Sequence, residues 1–422
     1  MIRVRRSSIR RFNSPDDTAL ICFLSLTLGS GGAVRGCALM RPPSADHDFV
    51  QAAEQAARMA TEVRAGTVFS YWQQLRDALA SWQKTNDKPA AAAAFGVAII
   101  ERALMDAFCR GTEKPFAACL RDNDFKIELG KVCRPLKGRH PSDLLMPVNT
   151  GSMPLQMLIA PDAPQAQLDE AVAKGYRNFS LGLTGQASTD LLRIISLAES
   201  LDRIEGRYAV SLEGNAAFTE ARALRELWDG VKSTPELKKF SRSIVCIEQP
   251  FAVDDTLSNA ALALFAEWPD RPAIIIDESD DEFGACARAL EWGYAGTVFR
   301  AERGIIPGII DACLLGARRD REPIGKWTMI GGPLSNGLPL AQLSEIAATA
   351  ALGLGSCTVS PATFEPIAAD VPWREDIASA HTETFDSDLC LQASGGGISL
   401  GEIFRAPFGC LPQIDAAVLA HA

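Results

Sequence analysis

The chain has 422 residues, of which 47% are hydrophobic and 22% are charged, a balance that is typical of a folded globular protein and not of a disordered one. Its net charge of −10 and pI near 5.1 argue against a nucleic-acid-binding protein, because phosphate recognition requires clustered Lys and Arg. No apolar stretch approaches the length needed to span a bilayer, so we do not expect a membrane protein.

The N-terminal stretch joins a basic run, RVRRSSIRR, to an apolar one, TALICFLSLTLGSGGA. This order resembles a secretory signal, but FNSPDD places a proline and two acids between the two runs, and VRGCAL follows the glycines. Two apolar stretches about a Gly-rich turn predict a β-hairpin, with a cleaved signal as the alternative. The 11 scattered cysteines form no C-x-x-C motif and predict reduced thiols in a cytoplasmic protein.

Three Ala-rich stretches follow the hairpin, and their apolar residues recur at the spacing of a helix. They are DFVQAAEQAARMATEVRA, SYWQQLRDALASWQKT and AAAAAFGVAIIERALMDAFCRG. The hairpin and these helices predict an α+β domain over residues 1–150.

From about residue 150 the pattern changes to short apolar runs separated by helical stretches. The eight runs are PLQMLIAP, YRNFSLGLTG, RYAVSLEGN, SIVCIEQP, PAIIIDES, AGTVFRAER, KWTMIGGP and SCTVSPATF. Eight strands alternating with helices predict a (β/α)8 barrel over residues 151–380. The segment 381–422 has few clear elements, and we expect it to pack back on the first domain and complete it as a cap.

Three carboxylates occupy equivalent positions in this barrel. Glu213, Glu248 and Asp277 close the third, fourth and fifth runs, 35 and 29 residues apart, which matches one β/α unit each. Catalytic residues of such barrels lie at the C-terminal ends of the strands, so we expect the three acids to converge. Their repulsion would require a cation, and an oxygen-only set favours Mg²⁺ over zinc.

Each acid also has a simpler interpretation. A carboxylate at a strand end often caps the next helix, and DESDDEF offers Asp280 or Asp281 for that purpose, which would leave Asp277 free. Arg300, after the sixth run, is either a clamp for a substrate carboxylate or a structural ion-pair partner of Glu302 or of the three acids. The sequence leaves both alternatives open.

At these residues the chain resembles the mandelate racemase and muconate-lactonizing branch of the enolase superfamily. ERALMDAFCRGTEKPF resembles the capping domain of that family, and EGN, IEQPF and DES resemble its three ligand-bearing strand ends. The resemblance implies that Glu213, Glu248 and Asp277 bind Mg²⁺. It also implies that Asn215, Gln249 and Glu278 support the ligands or face the substrate.

The departures from the family pattern concern the general bases. The family usually carries Lys-x-Lys at the end of the second strand, where this chain has Ser180 and Gly182. The sixth strand offers Arg300, or Phe299 in a shifted register, and the seventh strand, KWTMIGG, has no His. Glu213 also stands where an Asp is more usual. Arg cannot replace Lys as a base, because its guanidinium stays protonated.

Two classes of function are therefore compatible with the sequence. The first is a Mg²⁺-dependent lyase or isomerase that acts at the carbon next to a carboxylate, on a small substrate such as an acid sugar, with an atypical base. The alternative is a catalytically silent relative that keeps the fold and metal site for binding or assembly. In both cases we expect a homo-oligomer without a nucleic-acid partner.

Overall fold

The computed structural model describes residues 1–14, 17–29, 31–44, 46–365 and 373–414. The chain begins with an antiparallel sheet of strand order β3-β2-β1-β4. Its strands are β1 (Ile2–Ser14), β2 (Asp17–Leu28), β3 (Ala33–Met40) and β4 (Arg64–Ala65). Strands β2 and β3 pair from Leu20 opposite Met40 to Thr27 opposite Ala33, which confirms the predicted hairpin. Residues 15 and 16 of FNSPDD lie outside the described residues.

The basic run near the N-terminus is a strand that the sequence interpretation missed. It forms most of β1, in which Ile2 and Val4 are buried while Arg3 and Arg5 are exposed. This alternation is the signal of a strand with one buried face, interrupted by a register shift between Val4 and Arg6. The arginines therefore belong to the solvent face of the sheet.

The helices of the first domain occupy the three predicted stretches and continue in three short turns. They are α1 (His47–Ala60), α2 (Val68–Thr85), α3 (Ala90–Thr112), α4 (Phe116–Arg121), α5 (Leu129–Val132) and α6 (Pro141–Leu144), with a 3-10 turn at Arg134–Leu136. Helix α2 begins after Thr67, which forms a capping box with Ser70. Helix α3 packs closely on β3, because a Cβ atom at Gly36 would lie 2.4 Å from the carbonyl oxygen of Ala103.

Eight parallel strands form a closed barrel, as predicted. They are β5 (Ser152–Ile159), β6 (Asn178–Gly182), β7 (Ala209–Glu213), β8 (Ile244–Glu248), β9 (Ile274–Ile276), β10 (Gly296–Phe299), β11 (Thr328–Pro333) and β12 (Cys357–Val359). Each strand pairs with the next in the chain, and β12 closes the ring on β5 through Cys357 opposite Leu155. The carboxyl ends of all eight strands therefore meet at one mouth.

Helices connect successive strands of the barrel. They are α7 (Gln165–Ala173), α8 (Ala187–Asp202), α9 (Ala221–Ser233), α10 (Lys238–Ser243), α11 (Val253–Thr256), α12 (Asn259–Glu267), α13 (Ala285–Glu291), α14 (Ile305–Arg321) and α15 (Pro339–Ala351). Shorter 3-10 turns lie at Pro235–Leu237, Ala301–Arg303 and Pro361–Phe364. Helix α13 begins after Gly284, which has no side chain to cap it, but the carboxylate of Asp280 accepts a hydrogen bond from the backbone of Cys286 in the first turn, as the capping interpretation predicted.

The C-terminal segment returns to the first domain, as expected. It follows α16 (Arg374–Ala380) and contains β13 (Gly397–Ser399), which pairs antiparallel with β5, and α17 (Gly401–Arg405). The guanidinium of Arg110 on α3 donates to the carbonyl oxygens of Cys410, Leu411 and Pro412 at 2.9–3.2 Å. The segment thus completes the cap. The limits 1–150, 151–380 and 381–422 remain our proposal for the domain organisation.

One buried histidine holds this segment and makes stability depend on pH. His381 is fully buried, and its Nε2 accepts a hydrogen bond from Leu411 N at 3.0 Å. Burial lowers the pKa of His381 from 6.5 to about 4. Between pH 6.5 and about 4, the unfolded chain therefore binds a proton at His381 that the folded chain does not bind. The contribution to stability is present above pH 6.5 and decreases as the pH falls, by about 3 kcal/mol at pH 4.

We expect His381→Gln to lose this part of the pH dependence, because glutamine keeps an acceptor for Leu411 N and does not titrate. Urea unfolding at pH 7 and at pH 4.5 measures the difference between variant and wild type. The exposed His47→Gln is the matched control and should follow wild type. An equal loss of stability in His381→Gln and wild type would contradict the assignment.

The cysteines form no disulfide bonds among the described residues, as the sequence predicted. All 11 cysteines are free thiols, and nine are buried, including Cys22, Cys246 and Cys286. Within the described ranges, no helix combines the length and the apolarity that crossing a bilayer requires.

Candidate functional site

The three carboxylates lie at the barrel mouth on neighbouring strands. Glu213 is the last residue of β7 and pairs in register with Glu248, the last residue of β8. Asp277 follows β9 directly. The β/α spacing therefore placed all three at the same end of consecutive strands.

Glu213 and Glu248 lack a compensating positive charge of their own. Burial, reinforced by the charge of Asp277, raises the pKa of Glu213 to about 7. Burial and the charge of Glu213 raise the pKa of Glu248 to about 8. Ser180 Oγ lies 3.4 Å from Glu213 Oε2, whereas Glu248 Oε1 is buried and has no hydrogen-bond partner among the described residues. This pair of acids can therefore accept a proton or a cation.

Asp277 is in a different state, because two arginines neutralise it. Arg300 Nε donates to Asp277 Oδ1 at 2.6 Å, and Arg300 Nη2 donates to Oδ2. Arg303 Nη2 lies 3.0 Å from Oδ1. Burial alone would raise the pKa of Asp277, but the charges and hydrogen bonds of Arg300 and Arg303 outweigh it and hold the pKa below its usual value. Of the two sequence interpretations of Arg300, the structure shows the ion-pair partner.

The register of the sixth strand places Arg300 at the mouth and Phe299 outside. Phe299 ends β10 and packs against α14, because a Cβ atom at Gly308 would lie 2.3 Å from Phe299 Cε2. Arg300 also lies 3.7 Å from carboxylate oxygens of both Glu278 and Glu302. Its guanidinium therefore stands among several acids and has no base chemistry to offer.

Gln249 orients the loop that carries Asp277. It is buried, and its Oε1 accepts from the backbone N–H groups of Asp277 at 2.8 Å and Ser279 at 3.1 Å. Its Nε2 donates to Phe251 O, Thr256 Oγ1 and Ser279 Oγ. Since its side-chain oxygen and nitrogen both make hydrogen bonds within the protein, Gln249 holds the loop after β9 in place.

Asn215 and Glu278 lie at the surface of the same mouth. Asn215 is exposed in a left-handed turn with φ of 47°. Glu278 is partly buried, and its Oε2 has no hydrogen-bond partner within the described part of the chain. Burial, together with the charge of Asp277, raises the pKa of Glu278. Glu278 is therefore a carboxylate that can hold or release a proton beside the other acids.

Arg303 is a site residue that the sequence interpretation missed. It ends the 3-10 turn Ala301–Arg303, which brings it beside Arg300 on the same carboxylate. The sequence does contain a signal for this residue. Two arginines three residues apart follow a barrel strand, and residues i and i+3 lie on the same side of a 3-10 turn.

The predicted absence of neutral bases extends to every described barrel strand. None of β5 to β12 carries a Lys or a His. Ser180 and Gly182 stand on β6, where the family lysines were expected, and a Cβ at Gly182 would lie 2.6 Å from Pro161 Cδ. His47, His140 and His381 lie outside the strands, and residue 421 is not among the described residues. A Lys or His base at this mouth would have to come from a loop, whereas the strand ends themselves offer carboxylates.

The donor chemistry of the mouth acids fits Mg²⁺. Glu248 Oε1 is an unused acceptor, and the donor set contains only oxygen. A carboxylate offers about four lone-pair directions, of which Asp277 uses three for its arginines, so that one remains on Oδ2. As placed, however, no three or more His, Cys, Asp or Glu side chains of the described residues are grouped to hold a metal ion. The carboxylate oxygens are suitable ligands for Mg²⁺, but the three acids are not arranged around a common metal position.

Comparison with known proteins gives similar structures only. No family model matches the sequence, and no curated protein is similar to it. A mandelate racemase/muconate lactonizing enzyme from Bordetella bronchiseptica has a TM-score of 0.64 and 16% identity, covering 100% of this chain and 99% of its own. An enolase from alpha proteobacterium BAL199, solved with bound Mg, has a TM-score of 0.61 and 14% identity over 100% and 99%.

A third similar structure is 3,6-anhydro-D-galactonate cycloisomerase from Zobellia galactanivorans, with a TM-score of 0.60, 13% identity and coverage of 99% of both chains. Likenesses of this kind at such low identity establish the fold. They confirm the resemblance that the strand-end motifs predicted, at the level of the capped barrel.

Proposed function

We propose that this chain, which has the capped-barrel fold of mandelate racemases and muconate-lactonizing enzymes, is a lyase or isomerase that acts at the carbon next to a carboxylate. Glu213, Glu248 and Asp277 would hold a Mg²⁺ ion at the mouth. The observation that carries the proposal is the in-register pair of the partly buried Glu213 and the buried Glu248, which have raised pKa values and an unused oxygen on Glu248. When bound, Mg²⁺ would supply positive charge beside the substrate carboxylate.

Other side chains at the mouth orient Asp277 or supply the proposed base. Arg300 and Arg303 fix the orientation of Asp277 and keep it ionised, and Gln249 fixes the backbone on which Asp277 stands. Glu278 is our candidate base, because its Oε2 is buried and unpaired within the described residues, and its other oxygen lies 3.7 Å from Arg300. A raised pKa suits a carboxylate that takes a proton near neutral pH.

The substrate we propose is a small acid sugar. The support is the carboxylate chemistry of the mouth and the name of one similar structure, 3,6-anhydro-D-galactonate cycloisomerase. With a carboxylate base on one face and no Lys or His on the described barrel strands, the site can serve proton transfer on one face only.

The metal proposal is tested by calorimetric titration of chelator-treated protein with Mg²⁺. We expect saturable binding in wild type and at least about tenfold weaker binding in Glu248→Gln, because the amide removes one anionic ligand. Glu170→Gln is the control, since Glu170 on α7 is exposed and pairs with Lys174 just after this helix. If Glu248→Gln binds as tightly as wild type, the assignment is wrong.

The one-face mechanism predicts isotope exchange without racemisation. We expect protein, Mg²⁺ and a panel of acid sugars in D₂O to show α-proton exchange with retention, or elimination, by NMR. Glu278→Gln should slow the exchange by about 100-fold or more, as loss of a general base does. Glu282→Gln should not, because Glu282 is paired with Arg288 at the surface. Racemised substrate would contradict the prediction.

A second candidate function is supported by the ion pairs on Asp277. Two guanidinium groups already neutralise that acid, and the strands offer no Lys or His base, as expected for a catalytically silent relative. The two experiments above separate the candidates. Absence of exchange across the panel, in protein that still binds Mg²⁺, would favour the silent relative over the enzyme.

A further inference from the structure

A cavity lies at the seam between the cap and the barrel. It has a volume of 290 Å³ and is enclosed by one face of α2, the first turns of α3, the loop after β9, and the start of α14. Glu213, Glu248 and Asp277 do not line it, so it is distinct from the proposed metal site. Its volume suits a small ligand, close to the lower end of known ligand pockets.

Two arginines in the wall of this cavity have unused hydrogen-bond donors. Arg76 Nη1 and Arg303 Nη1 are both buried, and neither has a partner among the described residues. Arg76 uses its Nη2 for Asp77 at 2.7 Å, and Arg303 uses its Nη2 for Asp277 at 3.0 Å. A buried guanidinium donor without an acceptor is costly, so each side chain gains by turning this nitrogen toward an acceptor in the cavity.

Most acids in the wall are engaged within the protein, and Asp281 is exposed to solvent. Asp280 accepts a hydrogen bond from Thr297 Oγ1 at 2.6 Å, and Glu101 accepts from the backbone N–H groups at the start of α14. Glu282 pairs with Arg288. Burial raises the pKa of Glu101 to about 8, and it raises that of Asp311 as well, so these two groups favour their neutral form. The buried polar atoms of the wall that lack a partner among the described residues are the two guanidinium donors, which favours an acceptor ligand over a cation.

Most of the remaining wall is apolar and partly aromatic, with Gln83 and Lys84 as further polar residues. The guanidinium carbon of Arg76 lies 4.8 Å from the ring centroid of Trp72 and 4.7 Å from that of Phe283. The two rings meet edge to face at 5.5 Å. The opposite wall consists of small side chains of α3, including Ala93, Ala94 and Val97. Such a wall accommodates a flat or compact apolar group beside the charged donors.

We propose that this seam cavity binds a small carboxylate with an apolar body, of the size of benzoate, with its carboxylate on the free donors of Arg76 and Arg303. The apolar body packs against Trp72, Phe283 and the alanines of α3. The site is independent of the proposed metal chemistry, because it shares only Arg303 with the mouth, through the other nitrogen of that side chain.

Calorimetric titration with benzoate tests the proposal. We expect saturable binding with Kd on the order of 1 mM, as a ligand of this size allows. Arg76→Met removes the free donor and keeps the stem, and should weaken binding about tenfold or more. Ala94→Leu should abolish binding by filling the cavity from α3. The controls Arg58→Met and Ala78→Leu, on surfaces away from the cavity, should bind as wild type.

Each result decides for or against the site. Benzamide binding as tightly as benzoate, tighter binding of benzylamine, unchanged binding in Arg76→Met, or no saturation at about 10 mM benzoate would each overturn the proposal. Circular dichroism of Arg76→Met and Ala94→Leu separates loss of binding from loss of folding, and if one variant misfolds the other decides. Loss of benzoate binding in Glu248→Gln would instead assign the carboxylate to the mouth.

Discussion

Replacing Arg300 by methionine is expected to lower the free energy of unfolding by about 3 kcal/mol in the presence of a chelator. Arg300 provides two of the three hydrogen bonds and ion-pair contacts to the buried carboxylate of Asp277, which the variant leaves with Arg303 alone. Glu278 and Glu302 lose a neighbouring positive charge at the same time. The mouth would then carry an excess of buried negative charge.

Magnesium should offset part of this loss, because an ion that binds only the folded state stabilises it. Urea unfolding in chelator and in Mg²⁺ measures the effect, and the stabilisation by Mg²⁺ should be larger in Arg300→Met than in wild type. Arg288→Met is the control. It breaks an exposed pair with Glu282 and should change stability by less than about 0.5 kcal/mol. Equal stability of Arg300→Met and wild type in chelator would contradict the role assigned to the ion pairs.

Replacing Gly296 by alanine is expected to cost more than about 4 kcal/mol or to prevent folding. Gly296 begins β10 with φ of +156°, between Ile275 on β9 and Thr328 on β11. A Cβ atom there would lie 1.7 Å from the carbonyl oxygen of Thr328, which is backbone and cannot move aside without breaking the barrel ladder. The strand that presents Arg300 to the mouth would be displaced.

Gly355→Ala provides the matched control for this prediction. Gly355 is exposed and has open space where a Cβ atom would lie, so the change should be within about 0.5 kcal/mol. Circular dichroism and thermal unfolding of the two variants measure the difference. If Gly296→Ala unfolds at the same temperature as Gly355→Ala, β10 and β11 can separate at low cost in free energy, and the prediction is wrong.

The sequence by itself determined the architecture and the placement of the mouth acids. Strand and helix periodicities are local properties, and a β/α unit of nearly constant length carries each strand end to the same side of the barrel. Glu213, Glu248 and Asp277 could therefore be placed side by side without a structure. The strand β1 could also have been predicted, because Ile2 and Val4 alternate with arginines. The many positive charges of this stretch suggested a basic run instead of a strand.

Only the tertiary structure decided what those acids contact. Whether Arg300 faces a substrate or Asp277 depends on side-chain rotamers across 23 residues of sequence, which no local pattern encodes. The engagement of Gln249 within its own loop, and the seam cavity with the free donors of Arg76 and Arg303, likewise arise where distant elements approach. Period and spacing fix the direction of a strand end, whereas the pairing of charges depends on close packing in three dimensions.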